Sequence, residues 1–278
     1  PTAIAVLERL AAMGVEAHAL SRGHGGDAGR EAPHRVDLAR DPATLVGDEP
    51  LLLAAFAPAW VSRDRAAGAR AAVAAGAGAI VMDDGFQNPS LAKDLSLLVV
   101  DAEAGFGNGR MIPAGPLREP VAAGLARADA VLALGRPEAR ARLRARWPEL
   151  AARPVLEGEV APRPIGIDWR GRRVLAFAGI ARPEKLFSTL RALGAEVAAA
   201  HAFPDHAPFE SRALRRLEAE ALRLGAQMVT TEKDAVRLPE SFRGKAMPLP
   251  VHLVLEDPGA LEALLAPRFP NLPRNGHV

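Results

Sequence analysis

The sequence predicts an α/β protein: a mostly parallel sheet flanked by helices, followed by a smaller C-terminal α/β domain. Three observations carry this expectation. Short apolar runs that read as strands recur at residues 15–20, 51–57, 79–82, 95–100 and 130–134, separated by helical or loop material. A second set follows, with strands at 173–178, 197–202, 227–231 and 251–255 around an amphipathic helix at 211–224. Between the two sets, residues 154–164 hold three prolines and two acids around short apolar pieces, which reads as a crossing between domains. The expected division is a core at 1–160 and a smaller domain at 161–278, with the last helix able to pack back on the core.

The elements follow in order. The opening helix, 3–13, has Ile4, Leu7, Leu10 and Ala11 on one face and ends at Gly14. No initiator Met precedes Pro1, and no strand precedes this helix, so the βαβ pattern predicts a first strand and loop upstream of Pro1. The run at 79–82 reads as a short, fully buried strand stopped by Gly85. In helix 211–224 the buried stripe is Leu214, Leu217, Ala221 and Leu224, with Gly225 as its cap. Asp257-Pro258 starts a last helix carrying Leu261, Leu264 and Leu265.

Composition narrows the function classes. A chain of 278 residues with 49% hydrophobic content can bury a substantial core, and the absence of cysteine excludes disulfides, thiol catalysis and cysteine metal sites. A net charge of +2 with no tyrosine and few aromatics argues against nucleic acid, and leaves anionic small substrates open. No apolar run approaches the roughly 20 residues of a membrane-spanning helix. Basic residues are nearly all arginine; Lys93, Lys185, Lys233 and Lys245 stand against that bias.

The segment with the most chemistry is Asp83-Asp84-Gly85-Phe86-Gln87-Asn88, where an apolar strand ends in two adjacent carboxylates. Open α/β sheets place ligands at such ends, and oxygen ligands suit Mg²⁺. Asp-Gly is also common turn chemistry, and these residues alone do not separate the two readings. A second acidic pair, Asp48-Glu49, lies before the 51–57 run, so one carboxylate could take a proton from an attacking hydroxyl while its neighbour serves a metal; a Gly-Asp turn with a solvated Glu is the plainer reading. Ser21-Arg22-Gly23-His24-Gly25-Gly26 would let backbone N–H groups approach an anion, although it matches no Walker A loop. The Gly/Pro-rich stretch 105–120 follows a strand, and its Arg118-Glu119 pair reads as an ordered loop presenting an arginine to a phosphate, or as a surface ion pair. Phe203-Pro204-Asp205-His206 and Thr230-Thr231-Glu232-Lys233-Asp234 both end strands of the smaller sheet; there His206 could tune a base and Lys233 could contact phosphate. The arginines at 136, 140, 142, 144 and 146 form a basic segment that could meet anionic lipid headgroups, or simply be a solvated face.

In this order the motifs resemble the tetraacyldisaccharide 4'-kinase family, the membrane-associated kinases of lipid A synthesis. The resemblance runs from the opening helix to Thr-Thr-Glu-Lys-Asp, and includes Pro-Ala-Gly-Pro-Leu-Arg-Glu-Pro and Phe-Ala-Gly-Ile-Ala-Arg-Pro. It implies a P-loop NTPase-like fold and ATP- and Mg²⁺-dependent phosphorylation of the 4'-hydroxyl of tetraacyldisaccharide 1-phosphate at the cytoplasmic face of the bacterial inner membrane. The membrane surface is then a partner, and neither nucleic acid nor a protein partner is implied. By the same resemblance Asp48 is the catalytic base partnered by His206, Arg65 and Arg118 stabilise charge at the phosphates, and Glu49, Asp83 and Asp84 serve the Mg²⁺. Ser21, Arg22, Gly23, Gln87, Asn88 and Lys233 then line the substrate and phosphate cleft. The family has Tyr where His24 stands, and His where Asn88 and Ala207 stand. Its Walker A loop and membrane-anchoring helix belong before the opening helix and are absent from this chain, which is expected to bind ATP poorly as it stands. The residues also admit a non-catalytic anionic glycolipid-binding protein and a soluble P-loop kinase for another substrate.

Overall fold

The computed structural model describes residues 1–205 and 208–270. In chain order the first elements are α1 (Thr2–Ala12), β1 (Ala17–Ser21), β2 (His34–Arg35), α2 (Ala43–Val46), α3 (Asp48–Ala54), β3 (Ala59–Val61), α4 (Arg65–Ala74) and β4 (Ala79–Met82). Then come β5 (Leu97–Asp101), α5 (Val121–Arg127), β6 (Ala130–Leu134), α6 (Pro137–Arg146), β7 (Val155–Pro162), β8 (Arg173–Ala178), α7 (Glu184–Ala192) and β9 (Glu196–Ala202). The rest are α8 (Ser211–Leu224), β10 (Gln227–Thr231), α9 (Glu232–Ala235), α10 (Glu240–Arg243), β11 (Ala246–Leu249), β12 (Val251–Leu255) and α11 (Ala260–Leu265). They fall into two units, one of residues 1–19, 69–161 and from 252 onward, the other of 20–68 and 162–251.

In the first unit the sheet order is β12-β7-β6-β5, with β6 parallel to both β5 and β7. Strand alternation turns Val131 and Ala133 of β6 toward Leu125 of α5 and Ala139 and Leu143 of α6, and these side chains form one buried cluster. The expected crossing at 154–164 is mostly strand, because its prolines bracket the segment: Pro154 precedes β7, Pro162 ends it, and Val155 to Ala161 keep their amides for pairing. The basic segment also finds its partners within this unit. Arg140 is buried and pairs with Glu157 and Glu256, Arg142 with Glu103, and Arg144 with Glu157, while Arg146 donates to the Gly107 carbonyl. Strand β4 lies at a sheet edge and is half-buried along its length, rather than fully buried as expected. An edge strand has one neighbour, so its apolar run is covered on fewer sides.

In the second unit β8 is an interior strand of a sheet ordered β11-β10-β8-β9, and every pair in it is parallel. Val174, Ala176 and Ala178 face Leu186, Phe187 and Leu190 of α7, whereas Leu175 and Phe177 face Leu214, Leu217 and Ala221 of α8. One strand therefore anchors helices on both faces of its sheet. Phe177 is fully buried and meets Phe209 edge-to-face at 5.6 Å. Strands β2 and β3 pair antiparallel in the same unit, His34 opposite Val61.

The expected strand at 51–57 is instead helix α3, and the strand that follows it is β3. Leucine and alanine are strong helix formers, and no β-branched residue occurs from Pro50 to Ala59 to favour a strand. Asp48 and Glu49 occupy the first helical turn, where negative charge favours the helix dipole and a proline is tolerated. The second acidic pair thus opens a helix instead of ending at a strand boundary.

Replacing Phe177 with Ala should remove about 3–5 kcal/mol of unfolding free energy, read from urea denaturation. Asp41 offers a pH test. Burial pushes its carboxyl up, but the Asp37 amide at 2.8 Å and the His34 ring at 2.7 Å hold it below its ordinary value. A carboxylate lowered by folding stabilises above its unfolded value of about 3.9, and that contribution is lost as pH falls through the folded value. Asp41→Asn should therefore be less stable than the parent near neutrality, with the gap closing on acidification below about pH 4; an unchanging gap across a pH series of urea melts would count against this.

Candidate active site

The second unit gathers several of the sequence motifs at the carboxyl ends of its strands. Thr231 ends β10 and caps α9, accepting a hydrogen bond from the Asp234 amide at 3.0 Å. Its hydroxyl donates to Asp234 Oδ2 at 2.8 Å, and the Gly179 amide, just past β8, donates to the same oxygen at 3.0 Å. Asp234 has no solvent exposure, so its charge needs these donors and a cation. Arg237 supplies the cation: its Nη2 pairs with Asp234 Oδ1 and donates to the Gly179 carbonyl at 2.8 Å. The guanidinium also lies 5.1 Å from the centre of the Phe209 ring. A Cβ on Gly179 would sit 3.0 Å from Arg237 Nη2, 3.3 Å from the Pro204 carbonyl and 3.4 Å from Asp234 Oδ1. A side chain there would press on all three neighbours, which would have to give by a few tenths of an ångström, because three motifs close on one point.

Asp48 stands at the start of α3 and is 5% exposed. Its Oδ1 accepts from the Glu49 amide at 3.0 Å, and its Oδ2 faces two cations, Arg237 Nε at 3.7 Å and Lys233 Nζ at 3.9 Å. Lys233 also pairs with Glu49 at 3.2 Å. Apolar packing sets this meeting: Val46, Leu51 and Val61 form a buried cluster that Val236 joins from the segment after α9.

The glycine-rich loop packs against the turn that launches α3. Gly23 has φ 69° and Gly47 φ 91°, conformations that side chains resist. A Cβ on Gly23 would lie 2.3 Å from Val61 Cγ1, one on Gly26 2.3 Å from the Leu45 carbonyl, and one on Gly47 2.7 Å from the His24 carbonyl. Ser21 is buried, and its Oγ accepts from the Gly23 amide at 3.4 Å, whereas Arg22 is exposed. Arg65, 4% exposed, opens α4 and donates to the Ser62 carbonyl.

The remaining candidates lie in the first unit. Asp83 and Asp84 occupy the turn after β4, and Asp84 takes the left-handed φ of 52°. Gln87 is exposed, and Asn88 Oδ1 accepts from the Ser90 amide at 2.9 Å and its hydroxyl at 2.6 Å. In the 105–120 loop, Asn108 Nδ2 donates to the Ala114 carbonyl at 2.8 Å. Glu119 pairs with Arg127 rather than with its neighbour Arg118, whose side chain is exposed at the loop surface. Both residues lie in a bend, and the short helix α5 that follows carries Arg127 at its last turn. Among the described residues no group of three or more His, Asp or Glu side chains could hold a metal ion. His206 lies outside the described residues.

Gly179, Asp234 and Arg237 escaped the sequence reading as site residues. The Asp-x-x-Arg spacing after Thr-Thr-Glu-Lys places acid and base on one helical face, and was the available signal.

The profile of the tetraacyldisaccharide-1-P 4'-kinase family matches residues 1–269. The chain belongs to this family. A tetraacyldisaccharide 4'-kinase of Dinoroseobacter shibae is 58% identical over 275 residues, covering 99% of this chain and 81% of that protein. One from Rhodospirillum centenum is 60% identical over 274 residues, covering 96% and 78%. Among solved structures, the family member LpxK of Aquifex aeolicus, an "apo" form in complex with ATP, superposes with a TM-score of 0.72 at 24% identity, covering 96% of this chain and 84% of that one. That likeness bears out the P-loop-like α/β fold expected for the family.

Gly23→Ala should cost about 1–3 kcal/mol from overpacking, and more from its left-handed backbone. Urea melts of the variant check this; parental stability would mean that the loop does not press on Val61 as described.

Proposed function

We propose that this chain transfers the γ-phosphoryl group of ATP to the 4'-hydroxyl of tetraacyldisaccharide 1-phosphate, the lipid A precursor, with Asp48 as the general base. The observation that carries the residue assignment is the buried Asp48 carboxylate, held between two cations at a helix start in a member of this kinase family. Asp48 takes the hydroxyl proton as the oxygen attacks the γ-phosphorus; the new P–O bond forms while the bond to ADP breaks, leaving ADP and the 4'-phosphate. His206 is the proposed partner of the base.

Phosphoryl transfer is mostly positioning plus electrostatic stabilisation, which gives the arginines their roles. Arg65 and Arg118 stabilise charge on the transferring group, and Ser21, Arg22, Gly23, Gln87, Asn88 and Lys233 line the path of the phosphates and sugar. Asp83 and Asp84 fit Mg²⁺ in donor chemistry, being adjacent carboxylates at a strand's end, and the strained backbone of Asp84 is of the kind that collects at functional sites. This pair would hold the ion, which when bound neutralises phosphate charge; Glu49 pairs with Lys233 at 3.2 Å, and among the described residues it forms no three-carboxylate group with them. In domain terms, residues 1–160 serve as the kinase core and 161–278 as the smaller domain that brings the Thr-Thr-Glu-Lys-Asp motif. No helix among the described residues is long and apolar enough to cross a membrane. We place the reaction at the cytoplasmic face of the inner membrane because the substrate named for the family carries four acyl chains.

With ATP, Mg²⁺ and tetraacyldisaccharide 1-phosphate in mixed micelles, the full protein should form the 4'-phosphate. Asp48→Ala should lower kcat by about 10²–10⁴-fold. A parental rate in that variant would sink the base assignment, and phosphorylation of a soluble sugar in place of the glycolipid would sink the substrate.

A further inference from the structure

We propose that Arg237 is a positioning residue for the base: anchored by the buried Asp234 and by Gly179, it fixes the Asp48 carboxylate in place before substrate arrives. The inference rests on the kinase reading and deepens it. The geometry runs in one line from sheet to base. Gly179, just past the end of β8, binds Asp234 through its amide and Arg237 through its carbonyl. Asp234 holds one end of the guanidinium, and the Nε edge faces Asp48 Oδ2 at 3.7 Å.

Three features separate Arg237 from the neighbouring Lys233. Its side chain is 8% exposed against 25%, so water screens its charge less. Its planar fork is held at Nη2 by two acceptors and covered by the Phe209 ring, so little freedom is left to the Nε edge. Lys233, by contrast, divides its charge between Asp48 and Glu49 and keeps a flexible stem. The lysine is the cation able to move toward a phosphate, and the arginine is the one that stays. When Asp48 accepts the hydroxyl proton its charge is lost, and Arg237 keeps Asp234 as its counter-ion. The guanidinium therefore does not have to follow the reaction, and the base returns to the same position for the next turnover.

The test uses the full protein with Arg237→Gln and Arg237→Lys. Arg237→Gln should lower kcat by about 100-fold, the scale of a misplaced reacting group, with KM for ATP and for the glycolipid each within about twofold. Arg237→Lys, which restores the cation without the fork, should recover part of kcat and guards against a Gln variant that does not fold. Hydrogen exchange gives a readout independent of turnover: the amides of Gly47, Asp48 and Glu49 should exchange faster in both variants, while those of β8 and α8 stay protected. Unchanged exchange at 47–49, or a parental kcat in folded Arg237→Gln, would overturn the proposal. So would loss of protection throughout the unit, which would mark Arg237 as a fold-stabilising residue only. An inactive parent whose variants still loosen residues 47–49 would refute the kinase reading and leave the positioning role standing.

Discussion

A carboxylate with no access to water is the constraint on which the second unit's functional end depends. An amide, a hydroxyl and a guanidinium converge on Asp234, each from a different segment: the end of β8, the end of β10, and the turn after α9. Removing one donor leaves a buried charge undersupplied, which costs more than the lost bond itself. The strand ends are thereby fixed relative to one another, and the Asp48 helix start packs onto this fixed frame through Val236 and Leu51. Precision at Asp48 is inherited from the sheet through one ionic cluster and one apolar cluster.

Two loops that look alike in composition do different work. The glycines at 23, 26 and 47 let backbone pass within contact distance of backbone, so their permissive conformations serve packing at least as much as any ligand. The 105–120 segment is instead ordered by its own hydrogen bonds, with Asn108 closing it on Ala114 and Glu119 turned to Arg127, which leaves Arg118 at the surface. One loop packs against the turn that launches the Asp48 helix, and the other presents a cation.

Much of this was legible in the sequence where period and composition agreed. Helix α8 and strands β8, β10 and β12 have sharp apolar patterns ended by glycine, proline or acids, and their limits follow from those residues. Helix α3 was misread because a short run of leucine and alanine has no period that separates a buried strand from a buried helix; propensity, which favoured helix, was the better guide. The acidic and basic motifs stand out in the sequence, but which charge meets which was not encoded locally. Glu119 ignores its neighbour for a residue one helix away, and Arg237 meets Asp48 across almost the whole second unit in sequence. Long-range ion pairs leave no periodic trace, so only spacing within one turn, as in Asp234 and Arg237, hints at them.

The left-handed backbone of Asp84 also bears on how its carboxylate can be probed. Asparagine and aspartate tolerate that region far better than alanine does, because their short polar side chains bond locally. An alanine at this position changes two properties at once, the charge and the turn that aims it, and its neighbour Asp83 would move as well. Asparagine removes the charge and keeps the bend. At this corner the conservative amide is the informative replacement, and the smallest side chain is the misleading one.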